Sequence, residues 1–72
     1  MPLHVLISEP ALLPELMALF LRNECVTHPV ARDSFLLVPV NANHGDEARL
    51  EVAFLLRAWQ LHHPGVTAVV SP

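Results

Sequence analysis

Residues 46–63 carry the one long helical periodicity in the chain, and the helix that they predict is apolar on two opposed sides. At about 100° per residue, one arc wide enough to cover a β-sheet carries Ala48, Val52, Leu55, Leu56 and Trp59, with His63 at its end. A second stripe, here called the outer stripe, projects almost opposite that arc and consists of Leu50, Phe54 and Leu61. Because one sheet covers only one side of a helix, the outer stripe is expected beneath another layer of the chain or against another protein.

The short length of the chain favours cover of the outer stripe by another protein over cover by the chain itself. Its 72 residues are near the size at which a single core is only marginally sufficient, and 53% of them are hydrophobic. Little chain remains to build a further layer, so we expect the outer stripe to form an interface in a homo-oligomer or with a protein partner. The alternative is that the first helix or residues 27–34 fold over Phe54.

The remaining sequence alternates between strand and helix patterns. Strands are predicted at 3–7, 25–30, 34–40 and 66–70, and a one-sided helix at 13–23. The first strand is apolar on both sides except at His4, which is typical of a buried strand. Pro29 cannot donate to a neighbouring strand, so 25–30 belongs at an edge of the sheet, whereas the more apolar 34–40 is expected near its centre, with Pro39 at its end.

This order of elements predicts an α+β fold in one domain over residues 1–72. It fits a ferredoxin-like βαββαβ two-layer sandwich, with four antiparallel strands, the first and third central, and two helices on one face. The alternative treats 25–33 as a connection and gives a small three-stranded parallel βαβαβ unit, like half of a receiver domain.

Two segments carry a resemblance that corresponds to this alternative. VLISEPALLPELMALFL is similar to the opening of a response-regulator receiver domain, and LLRAWQLHHPGVTAVVS looks like such a domain's helix-to-strand passage. The resemblance implies an acidic cluster, a phosphate-accepting aspartate and a lysine. Ser8 and Glu9 do not supply that cluster, no aspartate ends the strand at 34–40, and the chain has no Lys, so a working phosphoreceiver is excluded.

Pro2 carries a second resemblance. If Met1 is removed, Pro2 becomes the N-terminus of a strand, which resembles the tautomerase superfamily, where an N-terminal proline amine acts as general base. Such chemistry requires burial of the amine and an arginine that holds an anionic substrate, and Arg32 and Arg49 are available. The alternative function is therefore a small-molecule-binding protein or small enzyme with a site at a subunit boundary.

The most polar cluster precedes the second helix and comprises Asn41, Asn43, His44 and Asp46. These residues are candidates for ligand binding, and they serve equally well as a loop and helix cap. Cys25 and His28 have a Cys-x-x-His spacing, which offers two zinc ligands per chain, although a lone cysteine is more often a small buried apolar residue. We expect no metal site and no cofactor, and no motif of a catalytic nucleophile or phosphate loop is present.

Charge and hydropathy exclude other partner classes. A net charge of −3 and the absence of Lys leave no basic patch, so we expect neither a nucleic-acid nor a membrane partner. No apolar run approaches the ~18 residues that a membrane span needs, and the single cysteine favours a reducing, cytoplasmic location. The sequence thus predicts a non-catalytic protein-interaction or self-association module.

Overall fold

A computed structural model describes residues 2–40 and 45–71 of the chain, apart from the side chain of Asp46. Its elements are β1 (Leu3–Ile7), a 3-10 turn (Pro10–Leu12), α1 (Leu13–Arg22), β2 (Cys25–Ala31), β3 (Ser34–Pro39), α2 (Gly45–Leu61) and β4 (Ala68–Ser71). The predicted α+β class, with four strands and two helices, is confirmed.

The four strands form one antiparallel sheet in the order β2-β3-β1-β4. Val5 at the middle of β1 lies opposite Phe35 of β3 and Val70 of β4. The first and third strands are therefore central, as their apolar composition predicts. The alternative of a three-stranded parallel sheet is wrong, because Cys25–Ala31 is a full strand that pairs antiparallel with β3.

Prolines set several of the element boundaries. Pro29 lies in the edge strand β2, where the pairing register with β3 shifts between Pro29 and Ala31, and Pro39 is the last residue of β3. Pro14 lies in the first turn of α1, where its missing N–H would have had no helical partner. The prediction that 25–30 is an edge strand is confirmed, and α1 begins at Leu13, as predicted.

Both helices pack on one face of the sheet and share a single core with it. α1 contributes Leu13, Leu16 and Phe20, and the strands contribute alternate residues such as Val5, Phe35 and Leu37. The predicted core face of α2 is buried at Ala48, Val52, Leu56 and Trp59, and Leu55 is half-buried. A hydrogen bond of 3.1 Å from Gln60 Nε2 to the Ala68 carbonyl oxygen ties the end of α2 to β4.

Candidate interaction surfaces

The outer stripe of α2 is exposed. Leu50, Phe54 and Leu61 retain 71%, 72% and 77% of their accessible surface. Their spacing places them along roughly 16 Å of helix at a rise of 1.5 Å per residue, on the side away from the sheet. The alternative in which α1 or residues 27–34 cover Phe54 is therefore wrong.

Charged side chains border the outer stripe on both sides. By helical periodicity Glu47 and Glu51 lie on one flank and Arg49 and Arg57 on the other, and all four are exposed. The outer stripe is therefore a row of exposed apolar side chains between two charged flanks.

A second apolar surface lies on the face of the sheet that the helices leave open, here called the outer sheet face. It carries Leu6, Val26, Leu36 and Val69, all exposed, together with His28 and the half-buried His4 and Val38. An antiparallel sheet with one solvated face usually alternates apolar and polar residues. The expectation that β1 is a buried strand is wrong on this side, since Leu6 is 46% exposed.

Sequence reasoning missed this surface although the signal was present. The central strands are apolar at consecutive positions, a pattern typical of strands that are covered on both faces. The described helices cover only one face, so the alternate residues of β1 and β3 remain in contact with solvent.

His63 joins the two helices. Its ring stacks on Trp59 with centroids 4.0 Å apart, Nδ1 lies 2.8 Å from the Trp59 carbonyl oxygen, and Nε2 lies 2.8 Å from a carboxylate oxygen of Glu15. The contact with a carbonyl at the end of α2 agrees with the predicted helix-terminal position of this histidine, whereas the partner on α1 was not predicted. Both ring nitrogens are engaged within the fold, so His63 links the end of α2 to α1.

Cys25 and His28 point to opposite faces of β2, as residues three positions apart in a strand must. Cys25 is buried towards the helices with Sγ 3.6 Å from the Asn23 carbonyl oxygen, while His28 is exposed. Burial raises the pKa of the Cys25 thiol, and the negative charges of Glu51 and Glu24 raise it further. The two side chains do not converge on one zinc ion, and the described residues contain no cluster of three or more potential metal ligands.

The residues of the alternative enzyme hypothesis are dispersed. Pro2 is exposed at the start of β1, whereas Arg32 lies in the β2–β3 turn at the far end of that strand, where the Ile7 N–H donates to the Asp33 carbonyl oxygen. The length of β1 separates them by roughly 17 Å at about 3.4 Å per residue. A site with both residues would require a second subunit.

The polar cluster before α2 stays a prediction. Asn41, Asn43 and His44 lie outside the described residues, and so does the side chain of Asp46. No helix in the described ranges is both long and apolar enough to cross a membrane.

Comparison of the chain with protein-family models, with curated proteins and with solved structures finds no match.

Proposed function

We propose that this chain is a non-catalytic protein-interaction module of ferredoxin-like topology that self-associates through the outer stripe of α2. The observation that carries the proposal is the exposure of three large apolar side chains along one side of a helix whose other side is already buried. The strand order β2-β3-β1-β4 and the two helices on one face support the ferredoxin-like topology.

Three large apolar side chains are exposed together on α2. One exposed leucine needs no explanation, but Leu50, Phe54 and Leu61 all lie on the same side of one helix. Covering each of these side chains would contribute about 1.5–3 kcal/mol of transfer free energy. Phe54 lies between the two leucines, and a central aromatic anchor surrounded by aliphatic side chains is typical of protein interfaces.

The edges of the sheet are less suited to association than the stripe. Pro29 and the register shift beside it interrupt the hydrogen-bonding edge of β2, and β4 has only four residues. Short edges, prolines and bulges all hinder the addition of another strand. The side-chain surface of α2 is therefore the favoured contact.

The proposal is tested by the solution mass in a dilution series measured by light scattering. Phe54→Glu places a charge at the centre of the stripe and is expected to lower the mass of the assembly, because burying an unpaired carboxylate is strongly unfavourable. Leu21→Glu is the matched control, since Leu21 is an exposed leucine of α1 outside the stripe. It is expected to leave the mass unchanged.

Circular dichroism establishes that each variant retains its helices. A folded Phe54→Glu variant with the wild-type mass at every concentration would contradict the proposal. So would a wild-type protein that is monomeric throughout the series.

A further inference from the structure

β4 forms one edge of the sheet, since among the described strands it pairs only with β1. The strand contains no charged side chain and no proline, and its two valines favour β-structure. Charged side chains, prolines and bulges are the features that usually keep an edge strand from pairing with another chain. Apart from its short length, β4 therefore has no protection of its own, in contrast to β2 with Pro29.

The hydrogen bonds between β1 and β4 determine which backbone groups face the open edge. The Ser8 N–H donates to the Thr67 carbonyl oxygen over 2.8 Å, directly before β4 begins. In an antiparallel pair, residues that exchange such bonds alternate with residues whose N–H and C=O groups point away from the partner strand. In the register of this pair, Ala68 and Val70 occupy the positions that point away, so their backbone groups face the edge.

The side chain of Gln60 occupies part of this edge. Its Nε2 atom donates to the Ala68 carbonyl oxygen over 3.1 Å, in a half-buried position. This contact agrees with the orientation that the register gives for Ala68. It is also the hydrogen bond that a backbone N–H of a fifth strand would make to the four-stranded sheet.

We infer that Gln60 closes the β4 edge against strand addition by a second copy of the chain. While the Ala68 carbonyl group is engaged, an incoming strand meets a complete donor and acceptor pair only at Val70. Strand addition draws its affinity from several main-chain hydrogen bonds, and one pair of them does not offset the freedom lost on association. The inference concerns an edge of the sheet and does not depend on the outer stripe.

Gln60 competes with an incoming strand on favourable terms. Its side chain is carried by α2, which shares one core with Ala68 of β4, so its hydrogen bond forms without bringing two molecules together. The N–H of an incoming strand makes an equivalent bond, but the second molecule also loses translational and rotational freedom. The bond within the chain is therefore the one that is retained.

The β4 strand of a second copy is the strand that an opened edge is expected to accept. Two such edges that meet about a two-fold axis pair antiparallel, and each supplies the donors and acceptors that the other lacks. Extension of the sheet at β2 is hindered by Pro29 and the register shift beside it. Opening of the β4 edge is therefore expected to give a closed dimer with one eight-stranded sheet, built from two four-stranded sheets.

Light scattering over a dilution series tests the inference in a Phe54→Glu background, in which the outer stripe is disrupted. Gln60→Met keeps a long, unbranched side chain with high helix propensity and removes the hydrogen-bond donor. At the highest concentration, the double variant is expected to have about twice the mass of Phe54→Glu alone, as a two-fold dimer requires. Circular dichroism establishes that both proteins retain their helices.

Two control variants in the same background separate loss of the donor from a general gain in hydrophobicity. Ala53→Met places the same apolar side chain at an exposed position on the same flank of α2 and leaves Gln60 unchanged. Gln60→Lys supplies another donor for the Ala68 carbonyl oxygen and adds a charge at the edge, and both oppose pairing. Both variants are expected to have the mass of Phe54→Glu alone. Association of either control to the same extent as Gln60→Met would contradict the inference.

Amide hydrogen exchange identifies the surface that forms the dimer. The Val70 N–H faces the open edge, so its exchange is expected to be fast in Phe54→Glu alone. In the dimer of the Gln60→Met variant this N–H donates to the second copy, and its exchange is expected to be at least about tenfold slower. The Val69 N–H points towards β1 in both proteins and is the internal reference. A dimer in which the Val70 N–H remains unprotected would use another surface and would overturn the inference.

The simpler role of Gln60 is to tie α2 to β4 without affecting association. In that case Gln60→Met would lower the free energy of unfolding, as the loss of one hydrogen bond does, and would keep the mass of its Phe54→Glu background at every concentration. Such a result would overturn the inference. A doubled mass together with a protected Val70 N–H would support it.

Discussion

Phe20 of α1 and Phe54 of α2 are the same side chain on two helices that pack on the same sheet. Phe20 is completely buried, and its ring lies 6.2 Å from that of Phe35, whereas Phe54 retains 72% of its accessible surface. The residue type therefore does not determine the role. The angular position relative to the sheet assigns Phe20 to folding and leaves Phe54 available for association.

The two helices differ in their outward faces. α1 carries Glu15 and Arg22 on its exposed side, and its buried residues form one stripe. α2 carries the outer stripe in addition to its buried face. One apolar side is enough for α1 to pack on the sheet. The second apolar side of α2 is therefore not needed for packing on the sheet and is available for another contact.

The strongest expected effect comes from truncating the buried Phe20. Phe20→Ala is expected to lower the free energy of unfolding by about 3–5 kcal/mol, because it removes a large buried side chain and leaves a cavity. A domain of this size has a total of only about 4–11 kcal/mol. Urea unfolding of dilute protein measures the change.

Phe54→Ala is the matched control for Phe20→Ala, with an expected change within about 0.5 kcal/mol in the monomer. If the two substitutions destabilised the dilute protein equally, the contrast between the helices would not hold.

A comparison within α2 sharpens the same contrast. Val52→Ala on the buried side is expected to cost about 1–2 kcal/mol, whereas Leu50→Ala on the outer stripe is expected to change the monomer by less than about 0.5 kcal/mol. Thermal unfolding at low concentration should lower Tm by several degrees for Val52→Ala only. A larger loss for Leu50→Ala would show that the stripe is covered within the monomer.

The inner and outer faces of the sheet can be compared through thiol chemistry. Burial raises the pKa of the Cys25 thiol, with Glu51 and Glu24 contributing in the same direction, so little thiolate is present at pH 8. Alkylation of Cys25 in the folded protein is expected to be at least about tenfold slower than in denaturant.

The neighbouring residue of β2 supplies the control for this labelling. Val26→Cys in a Cys25→Ala background places a thiol on the outer sheet face, where labelling is expected to be fast in dilute protein. Mass spectrometry of timed samples measures both rates. Equal labelling rates for the thiols at positions 25 and 26 would contradict the placement of these two residues on opposite faces of the sheet.

The smallest expected effect concerns the link between the helices. Both nitrogens of His63 face acceptors, the Trp59 carbonyl oxygen and the Glu15 carboxylate, and only the protonated ring can donate to both. Because Glu15 is exposed, the contribution is expected to be below about 1 kcal/mol. It is lost when either partner of the contact is removed.

Urea unfolding of the wild type and of Glu15→Gln measures this contribution. The free energy of unfolding of the variant should be lower than that of the wild type by less than about 1 kcal/mol. A variant that is more stable than the wild type would contradict a stabilising contact between Glu15 and His63.

Local patterns were enough to predict the elements. The periodicity of α2 separates Val52 and Trp59 from Leu50 and Phe54, and the missing N–H of Pro29 places β2 at an edge. These features depend on geometry within one segment, which the sequence specifies directly.

Contacts between distant segments were not predictable in the same way. The pairing of Leu6 with Val69 and the contact of Glu15 with His63 depend on how the sheet and helices come together. The outer sheet face is open because both helices pack on the other face of the sheet. The apolar pattern of β1 alone is equally compatible with a strand that is covered on both faces.

The register shift between Pro29 and Ala31 affects whether a strand of another copy can add to this edge of the sheet. Strand addition at a sheet edge creates a new edge of the same kind each time, and its end point is a cross-β fibril of extreme stability. The absent donor at Pro29 and the displaced pairing beside it oppose that growth along β2. If copies associate as proposed, their contacts use side-chain surfaces instead, and the assembly is then expected to remain an equilibrium that dilution reverses.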